Sequence, residues 1–187
     1  MGIDESTALL VIDIQNFYFE GGRLALAGPL EASRKAREVL DRFRARAWPV
    51  IHVQHLPEGV DAACPDSGDA ATRIHPHVLP LPGEPVIVKH HANAFRGTGL
   101  LDALQARGAR RLLICGMQTH MCVEAGARAG ADFGFAVTVV HDACATRALA
   151  FGGVEVPARH VHATALAAIA NMYGRVVATD ELLAEMA

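Results

Sequence analysis

The chain has 187 residues, 51% apolar and 20% charged, which is enough for one domain with a full core and too few to suggest two. Its formal charge of -3 comes without a long run of Lys or Arg, which removes the electrostatic case for nucleic acid or an anionic membrane and leaves a small neutral or polar molecule as the expected partner. No apolar run approaches the roughly 20 residues that span a bilayer, and MGIDEST lacks the features of a secretory signal, so a cytoplasmic location is expected.

Met1, Gly2 and Ser6 fit a loose myristoylation pattern, but Asp4 and Glu5 followed at once by an apolar run make it a chance match. That run, Ala8 to Asp13, reads as the first strand and ends in a carboxylate. Leu30 to Ala47 then reads as a helix, with Ala32, Ala36, Val39, Leu40 and Phe43 at spacings of three and four on a face turned to the sheet. Pro49 to Gln54 is the second strand. From Leu56 to Pro85 six prolines with Gly and Asp give little periodicity, which suggests a long lid or rim connection.

Val86 to Lys89 is a short third strand ending in a cation, and Gly99 to Arg107 a helix with Thr98 as its expected N-cap. The GTG at Gly97 to Gly99 lacks the third glycine and the strand of a dinucleotide fingerprint. Arg111 to Cys115 is the fourth strand, Thr119 to Ala131 a helix, Ala136 to His141 the fifth strand and Asp142 to Val156 a second long loop. Pro157 to Met172 (helix), Val176 to Ala178 (strand) and Asp180 to Met186 (short helix) complete the chain. Strands alternating with helices predict an α/β fold, a three-layer α/β/α sandwich on a six-stranded, mostly parallel, Rossmann-like sheet in the order 3-2-1-4-5-6.

In such a sheet the strand ends share one edge, where ligands bind. Asp13 and Lys89 stand there, and the turn after the fourth strand carries Cys122. With Thr119 as N-cap, Cys122 lies in the first helical turn, where free N–H donors and the helix dipole favour a thiolate. The order sets Lys89 about 10 Å from the Asp13 strand, a gap that its stem must span. A thiolate attacking a carbonyl, a carboxylate as base and an ammonium supporting both charges is coherent chemistry. An Asp capping its own turn and a Lys snorkelling to the sheet edge are the structural alternatives.

Of the four cysteines, Cys115 reads as inert core, Cys64 as incidental and Cys144 as the rival thiol in a loop without a helix dipole; none is spaced as CxxC. Among the ten histidines, His52 with His55, His75 with His77 and His90 with His91 are close in sequence, but none has the spacing of a recognised zinc site, so no metal and no cofactor are expected. Gln15, Phe17, Phe19, His55, His91 and Phe95 stand where they could touch substrate or simply wall the pocket.

The segments LLVIDIQNFYF, VIVKHHANAFRGTGL and LLICGMQTHMCVEAGARAGADFGFAVTVVHDACATR together closely resemble the isochorismatase-like cysteine hydrolases, the superfamily of nicotinamidases and N-carbamoylsarcosine amidases. The resemblance covers nearly the whole chain. It implies that Asp13, Lys89 and Cys122 are a catalytic triad, that the Met117–Gln118 peptide is cis, and that the Gln118 and Cys122 N–H groups form an oxyanion hole. It also implies a homo-oligomer, a dimer or larger. True isochorismatases cleave a vinyl ether and typically lack the cysteine, so Cys122 points to the amide-hydrolysing branch. The Asp and paired-His metal motif of nicotinamidases has no match. The expected activity is hydrolysis of a small amide, carbamoyl or related acyl compound through a thioester. A silent binding or scaffold protein, an ether hydrolase and a thiol redox protein are the alternatives.

Overall fold

The computed structural model describes residues 2–56 and 70–186. Cys64 and much of the proline-rich connection lie outside the described residues. The core is a parallel sheet of six strands: β1 (Thr7–Ile12), β2 (Val50–His55), β3 (Val86–Lys89), β4 (Arg111–Met117), β5 (Ala136–Ala145) and, after a small hairpin of β6 (Leu149–Phe151) and β7 (Val154–Val156), β8 (Gly174–Val177). The order β3-β2-β1-β4-β5-β8 is the one read from the sequence, with β8 as the expected sixth strand.

Strand alternation builds two apolar layers. Leu9 and Val11 of β1 face α1 (Pro29–Ala45) and α5 (Thr179–Glu185), where Ala36, Val39, Leu40, Phe43 and Leu182 complete one cluster. Ala8, Leu10 and Ile12 face the other way, onto Leu100 and Leu104 of α2 (Leu100–Gln105), Ala127 of α3 (Glu124–Asp132) and Leu166 and Ile169 of α4 (Ala158–Met172). The predicted stripe of the first helix is the buried one. Each large apolar side chain buried here contributes about 1.5–3 kcal/mol.

The long loop expected over Asp142 to Val156 is largely ordered as strand. β5 runs on to Ala145, pairing Cys144 with Gly116 and Ala145 with Met117, past a register shift between Ile114 and Gly116. Gly152 and Gly153, at φ 59° and 81°, then make the two-residue turn of the β6–β7 hairpin. Two consecutive positive φ values are what glycine supplies freely and what such hairpins require. The polar Asp142 hides the strand's continuation in the sequence; its side chain accepts from the backbone N–H and hydroxyl of Thr179, tying the strand to α5. Among the described residues no helix is long and apolar enough to cross a membrane.

Candidate active site

At the carboxyl edge β1 ends abruptly. Asp13 takes the left-handed conformation at φ 51°, a turn that Asp tolerates better than most residues and that swings its carboxylate off the strand line. Beside it, Gly116 of β4 has φ 140°, and a Cβ there would stand 1.9 Å from the Ile12 carbonyl oxygen. Only glycine lets β4 approach β1 this closely. The peptide that follows next, Met117–Gln118, is cis, as the family pattern implied.

The chain then enters a single wide turn, Thr119–Val123, before α3 starts at Glu124. The Val123 N–H bonds to the Gln118 carbonyl, five residues back, so this turn is π-type. Gln118, not Thr119, caps it; the Thr119 hydroxyl is paired at 2.9 Å with His162 Nδ1 of α4. His120 Nδ1 is 2.6 Å from the Thr146 hydroxyl, a second tie between the turn and its surroundings. Cys122 is thereby held in a fixed turn facing the end of β1.

Lys89, from the end of β3, reaches over β2 as the topology required. Its Nζ is 2.7 Å from Asp13 Oδ2, 3.2 Å from Cys122 Sγ, 3.0 Å from the His91 carbonyl oxygen and 3.2 Å from His55 Nδ1. Asp13 and Lys89 are fully buried and Cys122 is 4% exposed. Burial pulls the Lys89 pKa down, but Asp13 and Cys122 push harder the other way, and the net result is raised, so the group stays an ammonium.

The thiol does not behave as its helix position suggested. Burial, reinforced by the Asp13 charge and only partly opposed by Lys89, pushes Cys122 up to about 12. Desolvation and the Asp13 charge outweigh the Lys89 ammonium, which favours the neutral thiol at rest. Cys144, the rival, is likewise pushed up to about 12 by burial, and Cys115 is raised well above the ordinary thiol value. Neither has a cation beside its sulfur among the described residues.

His55 ends β2 between the two charged strands, in register with Lys89. Its backbone is clamped by Gln15, whose Nε2 donates to the His55 carbonyl at 3.0 Å and whose Oε1 accepts from the His55 N–H at 2.9 Å. The same Nε2 donates to the Thr72 carbonyl at 2.6 Å. The Gln15 amide thus continues the sheet like an extra peptide unit, a duty its sequence position did not reveal. His91 lends the site its backbone carbonyl, while its side chain is exposed.

The aromatic residues divide. Phe17 is core, packed on Tyr18; Phe95 is buried against Phe133 and Phe135 in the cluster that includes Cys122; Phe19 stacks on His75 at 3.7 Å, beside the connection that follows β2.

Donor atoms of Asp13, His55 and Cys122 lie within 4.8 Å of one another, a set able to ligate a metal, and no other such group occurs among the described residues. The Lys89 ammonium sits against all three, so a metal ion would have to displace a charge already in place. The other sequence-close histidines are committed elsewhere: His52 to Glu84, His77 to Ser33, His75 to Phe19 and His90 to the Leu56 carbonyl.

Comparison with known proteins agrees in both sequence and shape. Residues 7–181 match the model of the isochorismatase domain. The uncharacterized isochorismatase family protein YddQ of Bacillus subtilis is 44% identical over 178 residues, 95% of this chain and 99% of that one. An isochorismatase from Pseudomonas putida KT2440 superposes with a TM-score of 0.90 at 36% identity, covering 97% of this chain and 93% of the other. The ureidoacrylate amidohydrolase RutB of Stutzerimonas stutzeri is 30% identical over 170 residues, 73% of this chain and 68% of its own length.

Proposed function

The chain belongs to the isochorismatase family, whose members are hydrolases, and on that premise we propose that it cleaves a small amide, carbamoyl or related acyl compound by way of a thioester on Cys122. The observation that carries the reading is the buried cluster in which Lys89 Nζ stands 2.7 Å from Asp13 and 3.2 Å from the Cys122 sulfur. In this mechanism Sγ attacks the carbonyl carbon as its proton passes to the Asp13 carboxylate. Proton transfer accompanies attack, because a thiol pushed up to about 12 supplies almost no thiolate in advance.

Lys89 stabilises first the sulfur's developing charge and then the ionised Asp13. Backbone N–H groups of Gln118 and Cys122 would hold the carbonyl oxygen as it becomes an oxyanion. The tetrahedral adduct collapses, the C–N bond breaks, and the amine takes the proton from Asp13. Water then adds to the thioester, gives its proton to Asp13, and the acid leaves as sulfur recovers that proton. A substrate panel read by ammonia release, with Cys122→Ala as control, tests this. A true substrate leaves its acyl mass on Cys122, and full turnover by Cys122→Ala would refute the mechanism.

The likeness to the Pseudomonas putida isochorismatase favours a second reading, hydrolysis of a vinyl ether at the same site. Including a vinyl ether such as isochorismate in the panel separates the two, since ether cleavage passes through no acyl-enzyme and leaves no mass on Cys122.

A further inference from the structure

An ammonium carries three N–H donors, yet four acceptors crowd Lys89 Nζ: Asp13 Oδ2 at 2.7 Å, the His91 carbonyl at 3.0 Å, and His55 Nδ1 and Cys122 Sγ both at 3.2 Å. The two shorter contacts hold two protons. The remaining two acceptors, at equal distance, compete for the third.

We propose that His55 is a positioning residue whose Nδ1 holds the third Lys89 proton while Cys122 is a thiol and yields it to the sulfur once that sulfur becomes anionic. The step deepens the hydrolase reading and rests on its thiol chemistry. A thiol sulfur is a weak acceptor and loses to an imidazole lone pair; a thiolate is a charged acceptor and wins. No proton leaves nitrogen in the exchange. One proton moves from sulfur to the Asp13 carboxylate, and one Lys89 N–H turns from His55 to Sγ. Attack and release of the leaving group can thus share one lysine that swings between two seats.

His55 is built for this. Gln15 fixes its backbone on both sides, so the ring has a set origin. Facing an ammonium that has only protons to give, Nδ1 must present its lone pair, which puts the ring proton on Nε2. Burial, with Lys89, lowers the ring's pKa against a smaller pull from Asp13, so His55 stays neutral and keeps that lone pair. Among the described residues, the groups facing it are Asp13 from β1, Lys89 and His90 from the end of β3, and Cys122 from the π-type turn.

The test compares full-length wild type with His55→Leu, which has no acceptor, and His55→Asn, whose side-chain oxygen can stand where Nδ1 stands. The readouts are ultraviolet thiolate absorbance, each protein less its own Cys122→Ala background, and the rate of iodoacetamide labelling at the Cys122 peptide by mass spectrometry. Without a competing acceptor the third Lys89 N–H stays directed at the sulfur. His55→Leu should therefore lower the Cys122 titration by about one pH unit or more, raising both thiolate fraction and labelling about tenfold at mildly alkaline pH, while His55→Asn stays near wild type.

Unchanged thiolate in His55→Leu overturns the proposal. So does faster labelling with unchanged thiolate, which would mean only a more open site, and so does an equal shift in both folded variants, which would mean packing. Labelling needs no substrate, so a silent substrate panel beside a moved titration defeats the hydrolase reading and leaves the His55 exchange standing.

Discussion

Lys89 Nζ and Asp13 Oδ2 meet at 2.7 Å with neither side chain exposed, although their strands are separated by β2. Each charge is tolerable in the interior only because of the other. Removing one partner strands the survivor, at a cost of about 3–5 kcal/mol, whereas removing both together is close to neutral. Lys89→Met and Asp13→Asn should each lower the urea midpoint strongly. The double variant should recover most of that stability and none of the activity, and additive losses in the cycle would contradict the pairing.

Gly116→Ala should be far more damaging than its size suggests. The new methyl would overlap the Ile12 carbonyl oxygen at 1.9 Å, on backbone that cannot step aside, at a φ of 140° that Ala disfavours. A loss exceeding about 3 kcal/mol, or failure to fold, is expected. Gly126→Ala, which meets only the end of the Ile12 side chain at 3.2 Å, should stay within about 1 kcal/mol of wild type. Thermal denaturation of the pair decides the matter.

Acid should weaken the fold in two stages. The His75 ring is held down to about 4, by burial first and His77 second, so between the ordinary histidine range and about pH 4 the unfolded chain binds the extra proton and stability falls as pH falls. Glu84 is held at about 2: burial acts to raise it, but Arg44, the Leu81 N–H and His52 together prevail. Its contribution is complete above the ordinary glutamate value and disappears as pH falls through about 2. Glu84→Gln should flatten the lower stage of a stability–pH curve and His75→Asn the upper one. Curves parallel to wild type would show the assignments to be wrong.

Gln15→Leu deprives the His55 N–H and carbonyl of their side-chain partner, and the Thr72 carbonyl of one donor while Gln54 Nε2 still donates to it at 2.9 Å, and leaves the volume nearly unchanged. A cost of about 1–3 kcal/mol is expected from the stranded backbone groups. Amide exchange at His55 should quicken more than at Val53, one residue pair deeper in the sheet. Equal protection in both proteins would remove Gln15 from this role.

The sheet order was readable because β1 and β4 are strongly apolar runs and the crossovers that leave β1, β3, β4 and β5 each carry an α-helix, and that order alone was enough to bring Asp13, Lys89 and Cys122 to one edge. The β6–β7 hairpin was missed, although Gly152-Gly153 between LAF and VEV is a two-residue hairpin signal. Asp142 disguised the end of β5 because a polar residue near a strand end looks like a loop when its partner, Thr179, is distant in sequence. The protonation of Cys122 was misjudged for a physical reason: the pattern reveals helix starts but not depth, and depth decides this titration. The Gln15 clamp and the His55 contact depend on side-chain torsions that no spacing encodes.

β3 has four residues, lies at the margin of the sheet and keeps Val86 and Val88 partly in solvent. Marginal strands detach before centres melt. Because Lys89 is the last residue of that strand, the earliest fraying of the molecule would carry the ammonium away from Asp13 and Cys122 while β1, β4 and β5 still held together. Mild heating or dilute urea should therefore silence the enzyme well ahead of any spectroscopic sign of collapse, and cooling should restore it without a refolding delay.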